Sequence, residues 1–176
     1  ANSVFNPGKL QINKAGKESP DSFTNNPLDT MLVSRYSSED YYLSAIPTDV
    51  LGGLVYISDP LDEMDIFGSI EFGGYIELNV PDTDMEVWFY EIKKSGETVY
   101  LGSDRIRARY RKSLESAELV KPKEINLYQF KTSYITSRKF DKSSRIAVTI
   151  EPSNSEYVQK NYHSGGDVSA ETKKDA

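Results

Sequence analysis

The stretch that decides the fold runs Val80-Pro81-Asp82-Thr83-Asp84-Met85-Glu86-Val87-Trp88-Phe89-Tyr90. After the proline and aspartates, apolar residues fall at alternate positions from Met85 to Phe89. Successive side chains of a strand point to opposite faces of a sheet, so this alternation predicts a β-strand with one face in a core. The next break, Lys94-Ser95-Gly96-Glu97, predicts a hairpin turn into a second strand.

The same period of two recurs along the chain between polar turns, which is typical of an antiparallel β-sandwich. One segment is ambiguous, because residues 105–119 are rich in helix formers. The alternation from Arg105 to Tyr110 favours a strand there, followed by a turn around residues 113–118. The other predicted strands include Lys9-Leu10-Gln11-Ile12, Leu54-Val55-Tyr56-Ile57-Ser58, Ile66 through Phe72, Ile76 through Val80, Ile125 with Leu127, and Ile146 through Ile150.

Length and composition predict one globular domain. The chain has 176 residues, of which 38% are hydrophobic and 27% charged, and its net charge is −6. This acidic balance argues against a nucleic-acid partner, and the chain has no apolar run long enough for a membrane span. It contains no cysteine, which excludes disulfides and thiolate metal sites and leaves the compartment open.

We divide the chain into three parts. Residues 1–31 are polar and broken by turn formers, so we expect an extended arm that wraps the sheet, with Phe5, Phe23 and Leu28 as anchors. Residues 32–166 hold the β-sandwich. Residues 167–176 continue a polar stretch that begins at Ser164, and we expect them to form a mobile tail.

The sequence offers no catalytic residues. Its one histidine, His163, precedes Ser164-Gly165-Gly166, which indicates a solvated loop histidine rather than a base that is held in place. No Gly-x-Ser-x-Gly nucleophile motif occurs in the chain. We therefore expect no nucleophilic catalysis within these residues.

Acidic residues crowd two turns without the spacing of a calcium-binding loop. We interpret them as solvated turns, or as turns in which an Asp side chain bonds to its own backbone, and expect no metal and no cofactor, with calcium kept as a weaker alternative. The two groups are Asp59, Asp62, Glu63 and Asp65 in the first turn, and Asp82 with Asp84 in the second.

A basic row is the best candidate for a binding surface. On a strand, Arg105, Arg107, Arg109 and Arg111 would share one face, and Tyr110 lies among them. Adjacent cations repel unless they meet carboxylates, water or a partner. Because arginine is favoured at protein interfaces, we predict that these five residues form an interface, with a solvated strand face as the alternative.

Several stretches in order resemble the C-terminal domain of the X-Pro dipeptidyl-peptidase and cocaine-esterase-like hydrolase family. They cover most of residues 20–166. The stretches are Pro20-Asp21-Ser22-Phe23-Thr24-Asn25-Asn26-Pro27, Leu54-Val55-Tyr56-Ile57-Ser58-Asp59-Pro60-Leu61, Phe67-Gly68, Val80-Pro81-Asp82-Thr83-Asp84-Met85, Arg105-Ile106-Arg107-Ala108-Arg109-Tyr110-Arg111-Lys112-Ser113, Glu115-Ser116-Ala117-Glu118-Leu119-Val120, Thr132-Ser133-Tyr134, Ser144-Arg145-Ile146-Ala147-Val148, Ser153-Asn154, Asn161 and Gly165-Gly166.

The resemblance implies a galactose-binding-like jelly-roll sandwich attached to an upstream α/β-hydrolase domain of the same polypeptide. Family members cleave peptide, ester or amide bonds with a serine triad in that upstream part, so no triad residue maps onto this sequence. The family also continues past Gly165-Gly166 to a last strand, and we expect its absence to leave a sheet edge open to a second copy of the chain.

Jelly rolls of this kind also bind sugars. A carbohydrate-binding module, with Trp88, Tyr90 and Tyr100 as stacking platforms, is therefore the alternative function.

Overall fold

In a computed structural model of the chain, residues 6–11, 19–29, 53–153 and 158–176 are described. Strands dominate these residues, and they run in the order β1 (Gly8–Leu10), β2 (Leu54–Ser58), β3 (Met64–Gly68), β4 (Glu71–Glu77), β5 (Asp84–Ile92), β6 (Thr98–Arg107), β7 (Ile125–Lys131), β8 (Thr136–Phe140) and β9 (Arg145–Pro152). A short 3-10 helix, Ala108–Tyr110, follows β6. The all-β class and the jelly-roll sandwich predicted from the sequence are confirmed.

The first layer is a five-stranded sheet in the order β1-β2-β9-β5-β6. Strands β5 and β6 form the predicted hairpin, whose turn is closed by a bond from the Lys93 amide to the Glu97 carbonyl of 2.8 Å. Strand β1 is parallel to β2, and the other pairs are antiparallel. Strands far apart in sequence, such as β2 and β9, are therefore neighbours in this sheet. This order is typical of a sandwich in which the chain passes between the two layers.

The second layer is a long two-stranded ribbon. Strand β3 pairs with β8, and β4 pairs with β7. Between the two pairs, the Ile70 amide donates to the Thr132 hydroxyl oxygen and the Thr132 amide donates to the Ile70 carbonyl, both at 3.0 Å. The predicted continuous strand from Ile66 to Phe72 is therefore interrupted at this point, and the strand predicted from Ile76 to Val80 ends at Glu77.

The core lies between the two layers. Alternate residues of β5, including Val87 and Phe89, meet Tyr128 and Phe130 of the ribbon, all almost fully buried. At about 25 cal/mol per Å² of apolar surface, each of these side chains contributes roughly 1.5–3 kcal/mol to folding. The ribbon also covers the edge strand β6, where the missing side chain of Gly102 makes room for Thr132 and Tyr134.

The arm follows its prediction in part. Strand β1 covers the first half of the predicted Lys9–Ile12 strand, and Ile12 itself lies outside the described residues, as do Phe5 and residues 30–52. Phe23 packs against the core as an anchor, whereas Leu28 is exposed and is not one. The Tyr56 hydroxyl further ties the arm to β2 through a bond to Asp21 of 3.3 Å.

Candidate functional site

The predicted arginine row meets carboxylates on the neighbouring strand. The register of β5 and β6 sets Asp84 opposite Arg107 and Glu86 opposite Arg105. The Arg107 guanidinium binds both oxygens of Asp84, with Nε to Oδ1 at 2.8 Å and Nη2 to Oδ2 at 2.9 Å. The Arg105 Nη2 lies 3.0 Å from Glu86 Oε1. Cross-strand pairing of opposite charges thus removes the repulsion expected among the cations.

The prediction that all four arginines share one strand face is wrong beyond Arg107. Strand β6 ends there, and the chain turns into the 3-10 helix, with the Ala108 amide bonded to the Thr83 carbonyl at 2.8 Å. The turn brings Arg109 to Asp82. The Asp82 carboxylate accepts one hydrogen bond from the main-chain amide of Arg109 at 2.9 Å and another from Arg109 Nε at 2.8 Å.

The last two members of the predicted interface lie apart from this row. Tyr110 ends the 3-10 helix and is half-buried. The Arg111 guanidinium donates to Asn126 Oδ1 at 3.1 Å and to the main-chain carbonyl of Glu118 at 2.5 Å. Arg111 therefore ties the following loop to β7 and is almost fully buried.

Asn161 joins the row to the C-terminal segment. Its Nδ2 donates to Asp82 Oδ2 at 2.8 Å and to Asp84 Oδ1 at 2.9 Å. We call Asp82, Asp84, Arg107, Arg109 and Asn161 the acid–arginine clasp. One further bond, from Arg109 Nη2 to the main-chain carbonyl of Gly166 at 2.8 Å, fixes the same segment. The clasp thus holds the C-terminal segment against the end of the five-stranded sheet.

Burial increases along the row. The arginine side chains are 40% exposed at Arg105, 23% at Arg107 and 12% at Arg109, and Asp82 is fully buried. The hydrogen bonds to Asp84 raise the pKa of Arg107. At Glu86 the desolvation outweighs the attraction of Arg105 and raises the pKa of the carboxyl. The row is consequently a set of internal ion pairs whose accessible end is Arg105.

His163 is held in place, so the expected solvated loop histidine is wrong. Its Nε2 lies 3.2 Å from Asn25 Nδ2 and 3.1 Å from Thr83 Oγ1. The residue has a left-handed backbone, with φ of 72°. Burial lowers the pKa of His163, although Asp84 and Glu171 act in the opposite direction. The spacing from a hydroxyl to an imidazole is that of a nucleophile and a base, but Thr83 is buried and has no access to a substrate.

The C-terminal segment carries its own contacts. Glu171 accepts from the Tyr162 amide at 2.6 Å and from the Ser164 hydroxyl, and Val168 is buried. The mobility predicted for residues 167–176 stays a prediction.

The aromatic residues considered for sugar binding lie on the face of the five-stranded sheet opposite the core. Trp88 and Tyr90 are almost fully buried, and Tyr100 packs on both, with ring centroids 5.5 Å and 6.0 Å apart. Desolvation raises the pKa of Tyr90 and of Tyr100. Since sugar stacking requires an open ring face, Trp88 and Tyr90 offer no such platform in this arrangement.

The acidic turns contain ion pairs. Asp59 pairs with Lys9 at 2.9 Å, and Glu63 pairs with Lys139 at 2.6 Å. Within residues 6–11, 19–29, 53–153 and 158–176, no three His, Asp or Glu side chains are grouped as metal ligands. Among the same residues, no helix has the length and apolar character needed to cross a membrane.

Sequence reasoning named Asn161 only within the family resemblance, without a role, and assigned Asp82 and Asp84 to a solvated turn. A signal for the two aspartates did exist, because acidic residues alternate on β5 as the arginines do on β6. Asn161 carried no such signal, since it is 79 residues from Asp82 along the chain. A second buried pair was also missed, in which Glu91 accepts from Arg138 Nε at 2.5 Å and from the Ser144 hydroxyl at 2.7 Å.

Three solved hydrolases contain a similar domain. An aminopeptidase from a marine sediment archaeon, Thaumarchaeota archaeon, is 21% identical over 67% of this chain and 22% of its own, with a TM-score of 0.55. An α-amino acid ester hydrolase is 18% identical over 82% of this chain and 27% of its own, with a TM-score of 0.57. A CocE/NonD family hydrolase from Staphylococcus aureus is 13% identical over 66% of this chain and 25% of its own, with a TM-score of 0.54.

These likenesses show the fold of the chain, a β-sandwich domain. The chain belongs to the family of X-Pro dipeptidyl-peptidase C-terminal non-catalytic domains, whose model matches residues 2–174. It spans about a quarter of the length of the solved hydrolases it resembles. No curated protein matches it in sequence.

Proposed function

We propose that this chain packs on an upstream α/β-hydrolase domain of the same polypeptide and shapes the site where that domain cleaves peptide, ester or amide bonds. The observation that carries the proposal is the family match over residues 2–174 to a C-terminal, non-catalytic domain. The lengths of the solved neighbours support it, because each has about three quarters of its chain outside the similar region. By the family resemblance, the parent is a serine hydrolase.

The contacts within the chain agree with a supporting role. The groups that could act chemically bind each other. Thr83 and His163 lie within hydrogen-bonding distance of one another. The carboxylates of Asp82 and Asp84 form ion pairs with arginines and accept hydrogen bonds from Asn161. A rigid, internally paired domain suits the task of holding a neighbouring domain in position.

The interface role of the arginine row remains part of the proposal. In this role Arg105 is the contact residue, because its side chain is 40% exposed. Arg107, Arg109 and Arg111 act indirectly by fixing the loop and the C-terminal segment around it, and Tyr110, which is half-buried, stays a proposed contact residue.

A labelling experiment tests the proposal. The isolated 176-residue chain and the full-length product of its gene are treated with a fluorophosphonate probe, which labels activated serines, and assayed with X-Pro and ester chromogenic substrates. We expect labelling and turnover in the full-length product only. Labelling of the isolated chain above a heat-denatured control contradicts the non-catalytic role, and an unlabelled full-length product contradicts the serine hydrolase type of the parent.

A further inference from the structure

One apolar patch is exposed on the outer face of the ribbon. Side chains of β4 and β7 alternate between the core and the surface, and residues such as Phe72 and Phe130 point inward. On the outer side, Tyr75 is 79% exposed, Ile125 is 65% exposed and Leu127 is 42% exposed. We call these three residues the ribbon patch.

The register of the two strands brings the patch together. Tyr75 lies directly opposite Leu127, and Ile125 is two residues along the same strand and therefore on the same face. Gly73 follows on this face, and a Cβ built there would lie 3.6 Å from Leu127 Cδ1. With no side chain at that position, a partner can approach the backbone beside the patch.

Phe67 provides an internal comparison. It is 80% exposed on the outer face of β3, as accessible as Tyr75. Its cross-strand neighbour is Ser137, and the next outward pair along the ribbon is Asp65 with Lys139. Within the paired strands β3 and β8 its outward neighbours are therefore polar, and the exposed Ile135 lies just before β8. An exposed phenylalanine in such a setting is ordinary, whereas apolar side chains that face each other across two strands indicate an interaction site.

The charges around the ribbon patch narrow the choice of partner. Glu71 and Lys131 face each other on the same side and form an ion pair of 2.8 Å. Glu77, which is exposed and lies directly opposite Ile125 on the same face, adds a carboxylate at the other end of the patch. The rim is therefore polar and carries charges of both signs. An apolar centre with a polar rim is the composition of a protein–protein interface.

We propose that the ribbon patch docks against the hydrolase domain of the same polypeptide. The inference rests on the proposed function and adds the surface that makes the contact. A partner domain in the same chain is favoured over a separate protein because the similar hydrolases hold about three quarters of their length outside this domain. A covalently linked domain has a high effective concentration, so a small patch is enough for stable docking.

Hydroxyl-radical footprinting tests the docking surface, with Phe67 as the matched control. The isolated 176-residue chain and the full-length gene product are oxidised in parallel, and modification of Tyr75, Leu127 and Phe67 is quantified. In the isolated chain we expect Tyr75 and Phe67 both to be modified readily. In the full-length product we expect modification of Tyr75 and Leu127 to fall several-fold, with that of Phe67 unchanged.

A pair of variants provides a second readout. Leu127→Glu places a charge in the patch, and Phe67→Glu places one outside it. In the full-length product we expect Leu127→Glu to split a single cooperative melt into two transitions and Phe67→Glu to leave it single. In the isolated chain we expect Phe67→Glu to leave the melt unchanged and Leu127→Glu to lower it slightly without splitting it, because Phe67 is 80% exposed and Leu127 is 42% exposed.

The outcomes separate this inference from the proposed function. Unprotected Tyr75 in a full-length product that has a hydrolase domain overturns the docking surface alone. A full-length product without a hydrolase domain overturns both proposals. Protection of Tyr75 in the isolated chain that grows with protein concentration identifies a second copy as the occupant, which also overturns the inference.

Discussion

The acid–arginine clasp makes the most direct prediction, through the change Asp82→Asn. The carboxylate of Asp82 is fully buried and accepts three hydrogen bonds, from the Arg109 amide, Arg109 Nε and Asn161 Nδ2, at 2.8 to 2.9 Å. Asparagine has nearly the same shape but no charge. The change therefore leaves the guanidinium of Arg109 without its partner at a site where that side chain is only 12% exposed.

The expected loss of stability follows from this burial. Removing one member of a buried ion pair costs about 3–5 kcal/mol. We expect about 3 kcal/mol, at the lower end, because Arg109 keeps its bond to the Gly166 carbonyl and some contact with water. Since about 1.4 kcal/mol corresponds to a factor of ten, the unfolding equilibrium constant rises roughly a hundredfold.

Urea unfolding measures the loss. The chain has one tryptophan, Trp88, which is buried on β5 and reports unfolding by its fluorescence. With a slope of about 2 kcal/mol per M, the midpoint for Asp82→Asn falls by about 1.5 M. Glu63→Gln is the matched control, because the ion pair of Glu63 with Lys139 is exposed and is worth at most about 1 kcal/mol.

A double-mutant cycle with Arg109→Gln isolates the pair itself. If the two residues act as a pair, the double variant loses less stability than the sum of the single variants. The reasoning is refuted if Asp82→Asn shifts the midpoint no more than Glu63→Gln does, because the burial of the clasp would then have no energetic consequence.

Three further predictions follow from other contacts. Burial holds the pKa of His163 below its unfolded value of about 6.5, so the folded state binds fewer protons and stability falls as pH drops below about 6.5. His163→Asn, which tolerates the left-handed backbone, should flatten this dependence in urea titrations from pH 7 to pH 5, and an unchanged slope would rule out the histidine as its source. Gly102→Ala should lower stability by about 1–3 kcal/mol, since its Cβ would come within 2.8 Å of Thr132 Cγ2, while Gly73→Ala should be nearly neutral; equal thermal melts would contradict this. Arg105→Gln should cost less than Arg109→Gln in the same melts, because the Arg105 side chain is more than three times as exposed; the reverse order would refute the gradient of burial.

Much of the fold could be predicted because strand alternation is a local property. The sequence alone predicts the apolar alternation of β5 and the turn at residues 94–97. It also predicts the alternation of β6 as far as its last residue, and none of these features depends on a distant contact. The alternation of arginines likewise predicted that β6 has a charged face. It did not predict which residues would contact that face. The sequence could not predict that β6 ends at Arg107, because the bond from Ala108 to Thr83 that closes the turn joins two separate segments.

Only the arginines of the candidate site were predicted as functional residues. Whether a row of cations faces solvent, a partner or internal carboxylates depends on the strand that lies beside it, and that is decided by the sheet register. The same holds for the ribbon patch, since Tyr75 and Leu127 are 52 residues apart and share a face only because β4 pairs with β7. The alternation places Tyr75 on the polar face with Glu77, but it cannot show that Leu127 lies beside Tyr75.

The sequence by itself determined that this protein is a β-sandwich with alternating strands, no cysteine and a single histidine, and its collinear segments determined the family it resembles. The tertiary structure decided the rest. It showed that the arginines neutralise Asp82, Asp84 and Glu86, that Asn161 and His163 hold the C-terminal segment, and that Trp88 and Tyr90 are buried. The physical reason is that the alternation of residues along a strand decides which face of the sheet a side chain lies on. The residue that it contacts there depends on which distant strand pairs alongside, and in what register.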